Sequence, residues 1–202
     1  MKYLTLALFA LTIFAGPAMA AVEVGKPAPA VSGTNVLDGK PFSLADAKGK
    51  IIVLEWTNHE CPFVVKHYGT NNMQAAQKTA AEKGVVWVSI VSSAPGRQGH
   101  VTADEAKKIV ADAGATPAVK ILDESGEIGR AYGADTTPDM IVIDTNGNVA
   151  YQGAIDDKSG PSPDTVKGAK NYVLAAIDDL TSGKPVTTPF TQSYGCSVKY
   201  GE

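Results

Sequence analysis

Two stretches of the chain, Ile51–Trp56 and Val85–Val91, are apolar throughout rather than alternating, which predicts strands buried on both faces of a sheet that helices cover. Between them, Cys61-Pro62 opens a helical pattern expected to run from Phe63 to Lys83, where Gly84 ends it. Thr102 opens a helix over Ala103–Ala113 that Gly114 stops. A strand over Val119–Leu122, a short helix over Ile128–Tyr132 and a loop through Thr137-Pro138 follow. Two hairpins are expected. Asp38-Gly39 joins Val31–Val36 to Pro41–Leu44, and Asn146-Gly147 joins Met140–Asp144 to Val149–Gly153. A last helix is expected over Pro163–Leu180. This order describes an α/β domain with a mixed central sheet sandwiched by helices.

The ends change the picture. Residues 1–20 combine Lys2, an apolar core from Leu4 to Phe14, a Gly16-Pro17 break and Ala18-Met19-Ala20, the pattern of a cleaved secretory signal peptide. That core is shorter than the roughly 20 residues a membrane helix needs, so no integral membrane segment is expected after cleavage. Residues 21–182 then form one domain, and residues 183–202 a tail. Its Tyr194, Cys196 and Tyr200 are unusual cargo for a disordered end, and it is expected to fold back. Export implies an oxidising space such as the bacterial periplasm, where cysteines can pair. A net charge of -3 without basic clusters argues against nucleic acid as a partner.

Candidate chemistry centres on Cys61. A helix N-terminus favours the thiolate, which is the reactive form, and the preceding loop Asn58-His59-Glu60 is polar, as expected around an accessible thiol. His59 and Lys66 would add positive potential, and Glu60 would oppose it. Asp156-Asp157 and Asp178-Asp179 read as solvated faces, and Gly96-Arg97-Gln98-Gly99 lacks the spacing of a phosphate loop. No cofactor is expected.

A strand ending in Trp56, then Cys61-Pro62-Phe63-Val64 opening a helix, then Thr137-Pro138 before a hairpin strand together resemble the thioredoxin superfamily. The run from Glu55 to Gln74 and the terminal Gly195-Cys196-Ser197-Val198-Lys199 are similar, more closely, to the peroxiredoxin-like group of the redoxin (alkyl hydroperoxide reductase and thiol-specific antioxidant) family. The resemblance implies a thioredoxin-like fold and a cis Pro138 beside the reactive cysteine. It also implies a substrate groove bordered by Trp56, Pro62, Phe63, Thr137 and Pro138. Two departures bear on activity. Val64 stands where Cys-x-x-Cys enzymes carry their second thiol, and Asn58 stands where peroxiredoxins carry a threonine.

Cys61 and Cys196 are therefore the candidate catalytic residues of an exported thiol-disulfide oxidoreductase or peroxiredoxin-like antioxidant. Cys61 would attack a disulfide or peroxide, and Cys196 or an external thiol would resolve the product. The expected partners are a thiol reductant or a disulfide-containing protein. Two alternatives stay open. A permanent Cys61–Cys196 bridge would make the domain a non-catalytic binding module. His59, Cys61, His67, His100 and Cys196 are ligand types suited to copper or zinc, although no ligand-pair spacing supports a metal site.

Overall fold

The computed structural model describes residues 22–202; the expected signal peptide lies outside them. Strands β1 (Ser32–Thr34) and β2 (Pro41–Ser43) form the first hairpin. They precede β3 (Ile52–Trp56), every residue of which is buried. Next come helices α1 (Pro62–Gly69) and α2 (Asn72–Glu82), β4 (Val86–Val91), α3 (Ala103–Asp112), β5 (Val119–Leu122) and α4 (Glu127–Tyr132). The short strand β6 (Thr136–Thr137) leads to the hairpin of β7 (Asp139–Ile143) and β8 (Val149–Gly153). Helix α5 (Tyr172–Thr181) and β9 (Cys196–Ser197) close the chain.

The central sheet has the order β5-β4-β3-β7-β8. β3 runs parallel to β4, and β4 to β5, whereas β7 is antiparallel to both β3 and β8. Alternation along the strands divides the core. Ile52, Leu54, Trp56, Ile90 and Ile141 face Tyr132 of α4 and the N-terminal hairpin. Val53, Trp87, Met140 and Val142 face Met73 and Ala76 of α2 and Val173 and Ile177 of α5. This is the mixed sheet between helices that the apolar runs predict, with a thioredoxin-like topology.

Three expectations need correction. The helix expected over Phe63–Lys83 is two helices. Gly69 ends the first, the Thr70 hydroxyl bonds back to the Lys66 carbonyl at 2.8 Å, and Asn71 adopts a left-handed conformation with φ of 59°. The helix expected over Pro163–Leu180 is a 3-10 turn at Pro163–Val166, then a break through Gly168, then α5 capped by Asn171. Asp156, read as a solvated turn residue, is only 2% exposed, because the tail packs over it.

Candidate active site

Cys61 is the N-cap of α1, with Pro62 at the first helical position, where its missing N–H costs nothing. The loop before it is held from within. The Asn58 side chain accepts from the Glu60 N–H at 3.0 Å and donates to the Gln98 carbonyl at 3.4 Å. His59 and Glu60 are exposed as a polar loop predicts, but Thr57 and Asn58 are buried, and Cys61 is 0% exposed.

The cover over Cys61 is the chain's own tail. β9 pairs antiparallel with β6, setting Cys196 opposite Thr137, and Thr137-Pro138 is a cis peptide. Gly195 makes the approach feasible: its φ is 148°, and a Cβ there would strike the Thr137 carbonyl oxygen. In this arrangement Cys61 Sγ lies 3.1 Å from the Thr137 carbonyl oxygen and 2.6 Å from Cys196 Sγ, across 135 sequence positions. Both cysteines are free thiols here.

The two thiols are not equivalent. Burial pushes Cys61 up, but hydrogen bonds from Cys196, Thr137 and the Val64 N–H outweigh it and leave the thiol below its ordinary value. Cys196 is pushed up to about 11, by burial and then by its hydrogen bond to Cys61 and the negative charge there. Cys61 is thus the more acidic of the two thiols.

Of the expected groove residues, Thr137 and Pro138 are buried under β9, and Pro62 and Phe63 remain at the surface. Trp56 offers nothing to a groove. It is 0% exposed, packs against Tyr132 with ring centroids 5.4 Å apart and planes tilted by 45°, and donates to Ser92 Oγ at 3.2 Å. The candidate metal ligands do not converge: among the described residues no group of three or more His, Cys, Asp or Glu side chains could hold an ion. No helix among them is long and apolar enough to cross a membrane. An apolar groove of about 500 Å³ between α1 and α3, lined by Val64, Val65, Tyr68 and Ile109, lies beside the sulfur pair and includes neither cysteine.

A buried polar cluster that the sequence reading missed ties the tail to α1. Tyr194 donates its hydroxyl proton to Asp156 Oδ1 and lies 3.1 Å from His67 Nε2. Lys66, 1% exposed, donates to the carbonyls of Lys158 at 2.8 Å and Gly160 at 2.9 Å and to the Tyr194 hydroxyl at 3.3 Å. The only sequence signal was Lys66-His67 at i+5 and i+6 from Cys61 with a tyrosine two residues before Cys196. A second cluster sits under the sheet. Glu55 accepts from Tyr68 Oη at 2.7 Å and Trp87 Nε1 at 2.8 Å, and burial raises its carboxyl above the ordinary range.

Comparison with known proteins agrees with this architecture. An uncharacterised conserved protein from Geobacillus kaustophilus is 29% identical, with a TM-score of 0.75 over 89% of this chain and 93% of its own. A hypothetical protein from Sinorhizobium meliloti 1021 is 25% identical, with a TM-score of 0.74 over 90% and 97%. A putative thiol:disulfide interchange protein DsbE from Chlorobium tepidum, 23% identical, shares the fold with a TM-score of 0.53 over 65% and 85%. No curated protein matches the chain. Residues 23–173 match the family described as Redoxin, a span that holds Cys61, Thr137 and Pro138 and stops short of Cys196. With most of its length matched and the sheet, helix-capping cysteine and cis-proline loop in place, the chain belongs to the Redoxin family.

Proposed function

We propose that the protein is an exported thiol-disulfide oxidoreductase in which Cys61 and Cys196 interconvert between a dithiol and a single disulfide. The observation that carries this reading is the 2.6 Å separation of the two sulfurs, with the more acidic thiol at a helix N-terminus. Cys196 supplies the second thiol that Val64 does not. As a dithiol the pair gives two electrons to a disulfide-bearing partner; as a disulfide it is restored by a dithiol reductant. The N-terminal pattern of residues 1–20 supports export, and an oxidising compartment suits such a cycle.

Thiol-disulfide exchange fits better than peroxide reduction. The two arginines that could polarise a peroxide are engaged elsewhere: Arg97 Nη2 lies 3.5 Å from Glu202, and Arg130 stacks over Tyr200 at 4.5 Å and donates to the Gly201 carbonyl at 2.6 Å. The experiment is an insulin-reduction assay with dithiothreitol, run on the mature protein beside Cys61→Ser and Cys196→Ser. Both substitutions are expected to abolish catalysis. Full activity in either variant would overturn the reading, and an inert bridge that dithiothreitol does not open would favour the binding module.

A further inference from the structure

Resting on the reading that Cys61 and Cys196 form one redox pair, we infer that Cys196 is the sulfur that exchanges with the external partner, and that Cys61 remains the internal sulfur throughout the cycle. Accessibility is the first argument. Cys61 has no exposed surface, whereas Cys196 is only partly buried and is followed by the exposed Ser197.

The cover over Cys61 is firmly held on both sides of Cys196. Upstream, the Thr191 N–H donates to the Gln152 carbonyl at 3.0 Å, and the Thr191 hydroxyl accepts from the Ala154 N–H at 2.9 Å. Tyr194 is then fixed by Asp156, His67 and Lys66. Downstream, the Val198 N–H donates to Asp135 at 2.9 Å, the Lys199 carbonyl accepts from Ala94 at 2.9 Å, and the Tyr200 hydroxyl donates to Ala134 at 2.7 Å. Exposing Cys61 would require most of these bonds to break together. Cys196 keeps part of its surface exposed with all of them in place.

The chemistry runs in the same direction. A thiolate attacks a disulfide in line with the bond it breaks. Attack on Cys61 would have to come from the side away from Cys196, where Cys61 has no exposed surface, while attack on Cys196 comes from the side away from Cys61. A partner thiolate then bonds to Cys196 Sγ, the Cys61–Cys196 bond breaks, and Cys61 leaves as a thiolate that the start of α1 stabilises. The partner's second thiolate attacks the partner sulfur of this mixed disulfide. Cys196 departs as a thiolate and takes a proton from water, so the partner is oxidised by two electrons and the pair is reduced by two. In the opposite direction Cys196 gives up its proton to water and attacks a partner disulfide, one partner sulfur leaves as a thiolate, and the Cys61 thiolate then displaces the other and closes the internal bond.

Reduced glutathione serves as the probe partner. The oxidised wild-type protein is mixed with it, quenched in acid and mapped by peptide mass spectrometry. The expected early adduct carries glutathione on Cys196. In parallel, Cys61→Ser and Cys196→Ser are reacted with oxidised glutathione, folded and in urea, so that each thiol is its own reference. Cys61 in Cys196→Ser should be slowed by folding about 10-fold or more relative to Cys196 in Cys61→Ser. An adduct on Cys61 in the wild type, or equal protection of the two thiols, would overturn the assignment; the wild-type arm decides even if a variant does not fold. A wild-type protein that forms no Cys61–Cys196 disulfide at all would instead sink the redox-pair reading on which the assignment rests.

Discussion

The state of Cys61 depends on single residues on both sides of the sulfur contact. Gly195 is the clearest case. Its backbone conformation disfavours any side chain, and the Thr137 carbonyl occupies the space a Cβ would need. Gly195→Ala is therefore expected to lift β9 from β6, to cost more than about 1 kcal/mol and to speed alkylation of Cys61 by iodoacetamide. An unchanged alkylation rate would mean that the tail does not protect the thiol. Cys61-Pro62 at a helix start was legible as a local signal, whereas Thr137-Pro138 drew notice through the resemblance to the thioredoxin superfamily. Their exposure was not legible. The polar run Asn58-His59-Glu60 read as an open rim, and His59 and Glu60 are exposed, yet Asn58 is 1% exposed and spends its amide within the loop and on Gln98.

At the scale of elements, α1 and the tail are joined by the cluster of Lys66, His67, Asp156 and Tyr194. Removing the Tyr194 hydroxyl leaves Asp156 Oδ1 with the Lys158 N–H alone, so Tyr194→Phe should cost about 1–3 kcal/mol in urea unfolding and raise the reactivity of Cys61. His67 gives the cluster a pH signature. Burial, and then the charge of Lys66, push it down to about 4 from an ordinary 6.5, against the opposing pull of Asp156. Between those values the unfolded chain binds a proton that the folded chain does not. Its contribution is thus fully present above pH 6.5 and is lost as the pH falls toward 4, by about 3 kcal/mol in all. Asp139, pushed up to about 7 by burial, works in the opposite sense over an overlapping range. The comparison of wild type with His67→Gln isolates the histidine: the variant should lose less stability on acidification, and parallel curves would contradict the assignment. Beyond the placing of Lys66-His67 and Tyr194 near the two cysteines, this cluster could not be read from the sequence, since its members lie on α1, in the loop after β8 and in the tail, and only tertiary folding brings them together. The same limit explains β6 and β9. Two-residue strands carry no periodicity, whereas β3, β4 and the β7–β8 hairpin announced themselves through apolar runs and an Asn-Gly turn.

For the whole molecule, a bond between Cys61 and Cys196 would close a loop spanning 135 positions. Loop-closure entropy for a crosslink of this length is worth up to about 5 kcal/mol, so the oxidised protein should unfold at higher urea than the dithiol form. Equal midpoints would indicate that the tail is already fixed in the unfolded ensemble or that the bond does not form. The fold itself was legible because strand order follows chain order through the βαβ portion and the hairpin turn is strong. The folding back of the tail and Cys196 as second thiol were expected from the sequence; that the tail covers Cys61 by pairing with β6 required the structure.

The central claim, that Cys61 and Cys196 act as one reversible redox pair, is tested most directly by a redox titration. The mature protein is equilibrated in glutathione buffers of graded ratio, and its free thiols are counted by alkylation and mass spectrometry. The account predicts a single two-electron transition in which both thiols disappear together into an intramolecular disulfide. Two thiols that titrate independently, or a bridge that persists across the whole range, would contradict it.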